Sequence, residues 1–134
     1  MLVTCFPNRK EPTPKPVVYA VLSDRSWQKV VKAPDKYFGR TYQVWACISQ
    51  FDAATGADTF RGQGSNKKRS YWYLDADNAL FTGDEDQLSD FVQDDVVLMR
   101  VTVLGSFSYD TQNGGNTTVP SFEVDRISRK GSCA

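Results

Sequence analysis

Between positions 61 and 73 the chain gathers Arg61, Lys67, Lys68, Arg69, Tyr71, Trp72 and Tyr73. Cations interleaved with aromatic rings suit a single-stranded nucleic acid, because the cations follow phosphates while the rings stack on bases. Strand alternation opposes part of this reading, since it sends Tyr71 and Tyr73 to one face and Trp72 to the other, so one set belongs to a core. The run 75–95 follows at once, with eight carboxylates and no cation. It would repel phosphate wherever it folds close by.

Residue type closes several other chemistries. The chain has no histidine, which removes Ser-His-Asp and Cys-His triads, imidazole bases and histidine metal ligands. Its three cysteines, Cys5, Cys47 and Cys133, are too few for a four-cysteine zinc site. In the acidic run Asp75, Asp77 and Asp86 have EF-hand spacing, but Ala79 stands where a ligand belongs and Leu80 replaces the turn glycine. A looser calcium site at Asp84, Glu85 and Asp86 competes with a plain solvated loop, and the loop is the expectation. Gly56, Gly62 and Gly64 lack the spacing of a phosphate-cradling loop. Glycoside hydrolysis needs two carboxylates facing each other across a sugar cleft, and here the acids crowd one connection. The expectation is a non-enzymatic domain with no metal and no cofactor.

The elements that would position these residues belong to one domain. The chain has 134 residues, 40% hydrophobic and 24% charged, with zero net charge, a globular composition able to bury a core. Residues 1–70 carry twelve Lys and Arg against five Asp and Glu, and residues 71–134 carry four against eleven. That imbalance argues against a uniformly basic nucleic-acid binder. Ser23 and Asp24 open a helix ending before Pro34, with Trp27, Val30 and Val31 on its inward face. Thr41 to Phe51 alternates Tyr42, Val44, Ala46 and Ile48 with Gln43, Trp45, Cys47 and Ser49, a strand with bulk on both faces. A return strand starts at Asp58, and Ser70 to Leu74 reads as a short aromatic strand. Within the acidic connection, Leu88, Phe91 and Val92 would dock a helical turn over 86–92. Val96–Phe107 and Thr117–Ile127 form a hairpin around Asn113-Gly114, and Pro120 marks an edge or a bulge. Asn116-Thr117-Thr118 matches a glycosylation acceptor but reads as a turn end.

Helix, three strands, short helix and two strands is the order of the OB barrel. The stretches Ser23-Asp24-Arg25-Ser26-Trp27, Lys32-Ala33-Pro34-Asp35, Ser49 to Gly56 and Phe60-Arg61 resemble a family of actinobacterial and phage-associated proteins. The runs Gly105 to Gln112 and Gly114 to Pro120 resemble it too. Those proteins look like the predicted OB domains termed tRNA-anti-like, many of them secreted or lipoprotein modules. The likeness spans about residues 22–130. It implies a mainly β fold: a five-stranded OB-like barrel with an N-terminal helix and a short helix between strands 3 and 4.

The domain map is a proline-rich tether at 1–21, the OB-like domain at 22–130 and a loose tail at 131–134. Leu2, Val3 and Cys5 fit the end of a lipoprotein signal, and chance is the competing account. Three cysteines leave one unpaired. A Cys5–Cys133 staple stays open, with Cys47 as a small buried hydrophobe. The expected function is a non-catalytic binding module outside the cytoplasm, lipid-anchored through Cys5. Its expected partner is another protein at the cell envelope, in a host–phage interaction. The candidate binding residues are Arg61, Lys67, Lys68, Arg69, Tyr71, Tyr73, Asn113 and Asn116. The alternative is a cytoplasmic OB protein that binds single-stranded nucleic acid.

Overall fold

The computed structural model describes residues 16–111 and 114–134, so Cys5 and Asn113 lie outside it. Helix α1 spans Asp24–Lys32. Ser23 caps it by accepting the Ser26 N–H at 3.1 Å, and Asp24 sits in the first turn, as the helix dipole favours. Trp27 and Val30 are buried, and a 3-10 turn at Pro34–Tyr37 leads into the sheet.

The described residues form six strands: β1 (Ala20–Val21), β2 (Thr41–Gln50), β3 (Thr59–Ser65), β4 (Asp77–Gly83), β5 (Asp95–Asp110) and β6 (Asn116–Ser132). β2 pairs antiparallel with β3 and β5, β3 with β4, and β5 with β6. The parallel pair β4–β6 closes a hydrogen-bonded ring of five strands. The two-residue β1 adds a sixth, parallel to β2, where the sequence suggests five.

The interior of the ring is aromatic at its centre. Phe60, Phe81 and Phe122 are register partners on three successive strands. Their ring centroids lie 5.0 and 5.5 Å apart, and Trp27 of α1 stacks on Phe122 at 5.9 Å. The inward positions of β3 after Phe60 are glycines, and they make the space. A Cβ at Gly62 would lie 3.2 Å from the Phe81 ring and 3.1 Å from the Cys47 carbonyl oxygen. One at Gly64 would meet both Phe81 and Trp27. The Trp27 Nε1–H donates to Asp77 Oδ2 at 2.9 Å, so the buried indole leaves no unpaired donor.

Residues 70–74 are not a strand: a one-turn helix α2 (Trp72–Asp75) buries Trp72 and exposes Tyr71 and Tyr73. Strand propensity yields there to docking, because Trp72 packs with Cys47 and Val96 on the outside of the ring. The missing strand lies inside the acidic connection, where Ala79 and Phe81 of β4 alternate inward.

The helical turn α3 covers only Glu85–Leu88. The Asp95 carboxylate accepts the Val92 N–H at 2.9 Å, which turns the chain and leaves Val92 exposed.

Finally, the C-terminus is no loose tail. β6 runs to Ser132, and Cys133 is disulfide-bonded to Cys47 across 86 positions. The terminal staple therefore takes buried Cys47 as its partner, and Cys5 is not its partner. No described helix is long and apolar enough to cross a membrane.

Trp27→Ala is expected to lower unfolding free energy by about 3–5 kcal/mol, as truncations of large core aromatics do. Urea unfolding measures it, and a loss below about 1 kcal/mol would mean that Trp27 does not plug the ring.

Candidate ligand groove

The outward residues of β3 and β4 form a polar face. Arg61 is the register partner of Leu80, and Gln63 of Asn78. The hairpin β5–β6 continues past the ring, pairing Phe107 with Val119 and Tyr109 with Thr117. This arm brings Tyr109 onto the β3–β4 face. Its phenol oxygen accepts Arg61 Nη2–H at 2.6 Å and Asn78 Nδ2–H at 3.0 Å. The Arg61 guanidinium carbon also lies 4.7 Å from the Tyr109 ring centroid, a cation–π contact. Nη1 of Arg61 donates to Gln50 Oε1 at 3.3 Å.

Both protein partners of Arg61 are neutral, and it forms no ion pair among the described residues. With two bonds accepted at its oxygen, Tyr109 keeps its own O–H as a donor, and Arg61 keeps further N–H groups. Beside them Phe107 is 43% exposed, too open for a core ring. Together with Thr55 and Leu80 these residues line a groove of about 300 Å³. Three carboxylates belong to the segments around it. Asp52 accepts the Ala54 N–H at 2.9 Å, Asp58 accepts from Thr59, and Asp110 accepts the Asn116 amide at 3.3 Å.

The basic run after β3 is arranged differently. Lys67 and Arg69 both pair with Asp24, at 3.3 and 3.7 Å. Asn66 donates to the Leu22 carbonyl and to Asp24, while Arg69 donates to Ser65 and Asn66. This network fastens the loop to the start of α1. The Asn66 amide, then Lys67, holds the Asp24 carboxyl below its ordinary value. Lys68 is exposed and forms no ion pair among the described residues.

Arg61 and the Lys67–Arg69 loop lie toward opposite ends of β3, with about 13 Å of strand between Arg61 and Ser65, where the loop begins, at about 3.3 Å per residue. Tyr71, just before α2, and Tyr73, within it, are exposed on the loop's side of the strand. The candidates therefore divide into two places. Asn116, on the arm, is exposed and bonded to Asp110. Phe107, Tyr109, Asn78 and Gln50 were not among the sequence candidates. The signal for the first two is the run Ser106-Phe107-Ser108-Tyr109, where aromatics alternate with serines and so share a face.

No family model, curated protein or solved structure matches the chain.

Tyr109→Phe removes the acceptor for Arg61 and Asn78 and is expected to cost about 1–3 kcal/mol. Paired with Arg61→Ala in a double-mutant cycle, it is expected to show coupling of about 0.5 kcal/mol or more. Strict additivity would mean that the two side chains do not meet.

Proposed function

We propose that this protein is a non-catalytic binding module that works outside the cytoplasm and takes a protein ligand in the groove over β3 and β4. The groove itself carries the reading. An exposed phenylalanine, a guanidinium with neutral partners and a phenol with a spare donor line one concave surface between two loops. Such a surface offers apolar contact and directed hydrogen bonds.

The architecture supports an OB-like barrel. The ring order β2-β3-β4-β6-β5, its closing parallel pair and the turn α3 between β4 and β5 fit that topology, whose ligands lie on this face. In this reading β1 is an addition to the five barrel strands. The disulfide Cys47–Cys133 supports an oxidising compartment, where such bonds persist. The segment before Tyr19 then serves as a tether with Cys5 as the lipid anchor, and the partner is a protein at the cell envelope, as in a host–phage encounter.

A specific observation favours the second reading, a single-stranded nucleic acid. Arg61, Phe107 and Tyr109 combine a cation with rings on the same face. Asp52, Asp58 and Asp110 weigh against it through repulsion of phosphate, and Lys67 and Arg69 are engaged by Asp24.

Fluorescence anisotropy with a labelled single-stranded oligonucleotide separates the two readings. The protein-ligand reading expects weak binding or none at physiological salt, with no change in Arg61→Ala. Sub-micromolar affinity with a steep salt slope, flattened in Arg61→Ala, would overturn it in favour of nucleic acid.

A further inference from the structure

On the other side of the ring, β2, β5 and β6 present a second polar surface. Gln43, Arg100 and Arg126 are register partners, one on each strand, so their side chains form a row across three strands. Both arginines are exposed. Like charges placed directly opposite on paired strands destabilise a sheet. Neither arginine forms an ion pair among the described residues.

The acids nearest in sequence do not resolve the pair. Asp125 sits in the bulge beside Arg126. Its Oδ2 accepts the Tyr19 phenol at 2.9 Å and the Thr102 hydroxyl at 2.7 Å. Glu123 is exposed opposite Thr102, one outward position further along β5 than Arg100. The Arg100 guanidinium carbon rests 5.8 Å from the centre of the Tyr19 ring. The ring that holds Arg100 is thus itself held by Asp125.

Between the arginines and Ser128 lies a groove of about 340 Å³, with Leu98 and Ile127 in its lining. Two arginines lining one concave space, with a carboxamide and a hydroxyl residue beside them, match the planar, multidentate recognition of a tetrahedral oxyanion.

We propose that Arg100 and Arg126, assisted by Gln43 and Ser128, form a binding site for a phosphate-type dianion on the β2–β5–β6 face. The ligand neutralises the facing cations, and Leu98 meets an apolar stem next to it. The site is separate from the groove over β3 and β4 and does not depend on the function proposed for that groove. A phosphomonoester in solution and a phosphomonoester lipid headgroup present the same chemistry.

The test is a titration of the folded protein with inorganic phosphate, followed by the arginine Nε–H resonances in proton–nitrogen NMR. Saturable shifts are expected at Arg100 and Arg126. Arg126→Gln, an outward substitution whose fold is checked by circular dichroism, is expected to weaken binding about tenfold or more, as loss of a charged hydrogen-bonding partner does. Lys32→Gln, on the exposed last turn of α1, is the control and is expected to leave binding within about twofold, as a surface change away from the site. Shifts that stay linear in phosphate, or a Kd in Arg126→Gln equal to that of the parent, would overturn the proposal.

Sedimentation with phosphatidylcholine vesicles, with and without phosphatidic acid, then separates the sources. Co-sedimentation that needs phosphatidic acid and Arg126 supports the site with a lipid headgroup as its ligand. Saturable phosphate binding without co-sedimentation supports it with a soluble ester.

Discussion

The column of rings Phe60, Phe81, Phe122 and Trp27, seated against Gly62 and Gly64, ties three strands of the ring to the helix that packs on it. Each ring stands on a different element: β3, β4, β6 and α1. Aromatic pairs at such spacings contribute about 0.5–1.5 kcal/mol each beyond the area they bury. The register Phe60–Phe81–Phe122 places β4 between β3 and β6 and so closes the ring. Because alternation is strict, the same register places Arg61, Leu80 and Asn78 on the outer face. The inward aromatics thereby fix the floor of the outward groove.

A second set of contacts fastens the outside. The Cys47–Cys133 bond and Trp72 cover one end of β2, and the network of Asn66, Lys67 and Arg69 around Asp24 holds the β3 exit to α1. Arg129 pairs at 2.9 Å with Asp95, which is buried, so the end of β6 is tied to the start of β5. The far end of the β5–β6 hairpin extends past these ties. Phe107 and Tyr109 on that arm complete the groove over β3 and β4. Lys67, Arg69 and Arg129, paired with carboxylates, serve the fold, whereas the partners of Arg61 are neutral.

Elements with a strong local period were legible in the sequence. The capped helix with Trp27 and Val30, the alternation of Tyr42 to Ile48, and the hairpin around Gly114 all appear where the pattern places them. β4 was hidden because Asp77 and Asn78 are poor strand formers and only Ala79 and Phe81 point inward. The aromatic triplet 71–73 carried the stronger local strand signal, and tertiary docking of Trp72 overrode it. No local pattern joins cysteines 86 positions apart; that pairing follows from β6 returning alongside β5 beside Cys47. Of the groove, Arg61 was legible as a cation in a strand. Tyr109 was not, because its contact with Arg61 spans 48 positions and depends on how far the hairpin arm projects.

Glycines in β3 let the aromatic column close the ring between β4 and β6. Nuclear Overhauser spectroscopy on the folded protein probes this closure. Cross-peaks are expected from the Gly62 and Gly64 α-protons to the Phe81 ring, and from the Phe81 ring to the Phe122 ring. Slow amide exchange is expected along the β4–β6 pairing at residues 80–83 and 121–124. Absence of the glycine-to-Phe81 cross-peaks, with β4 amides exchanging as an unpaired edge, would contradict it.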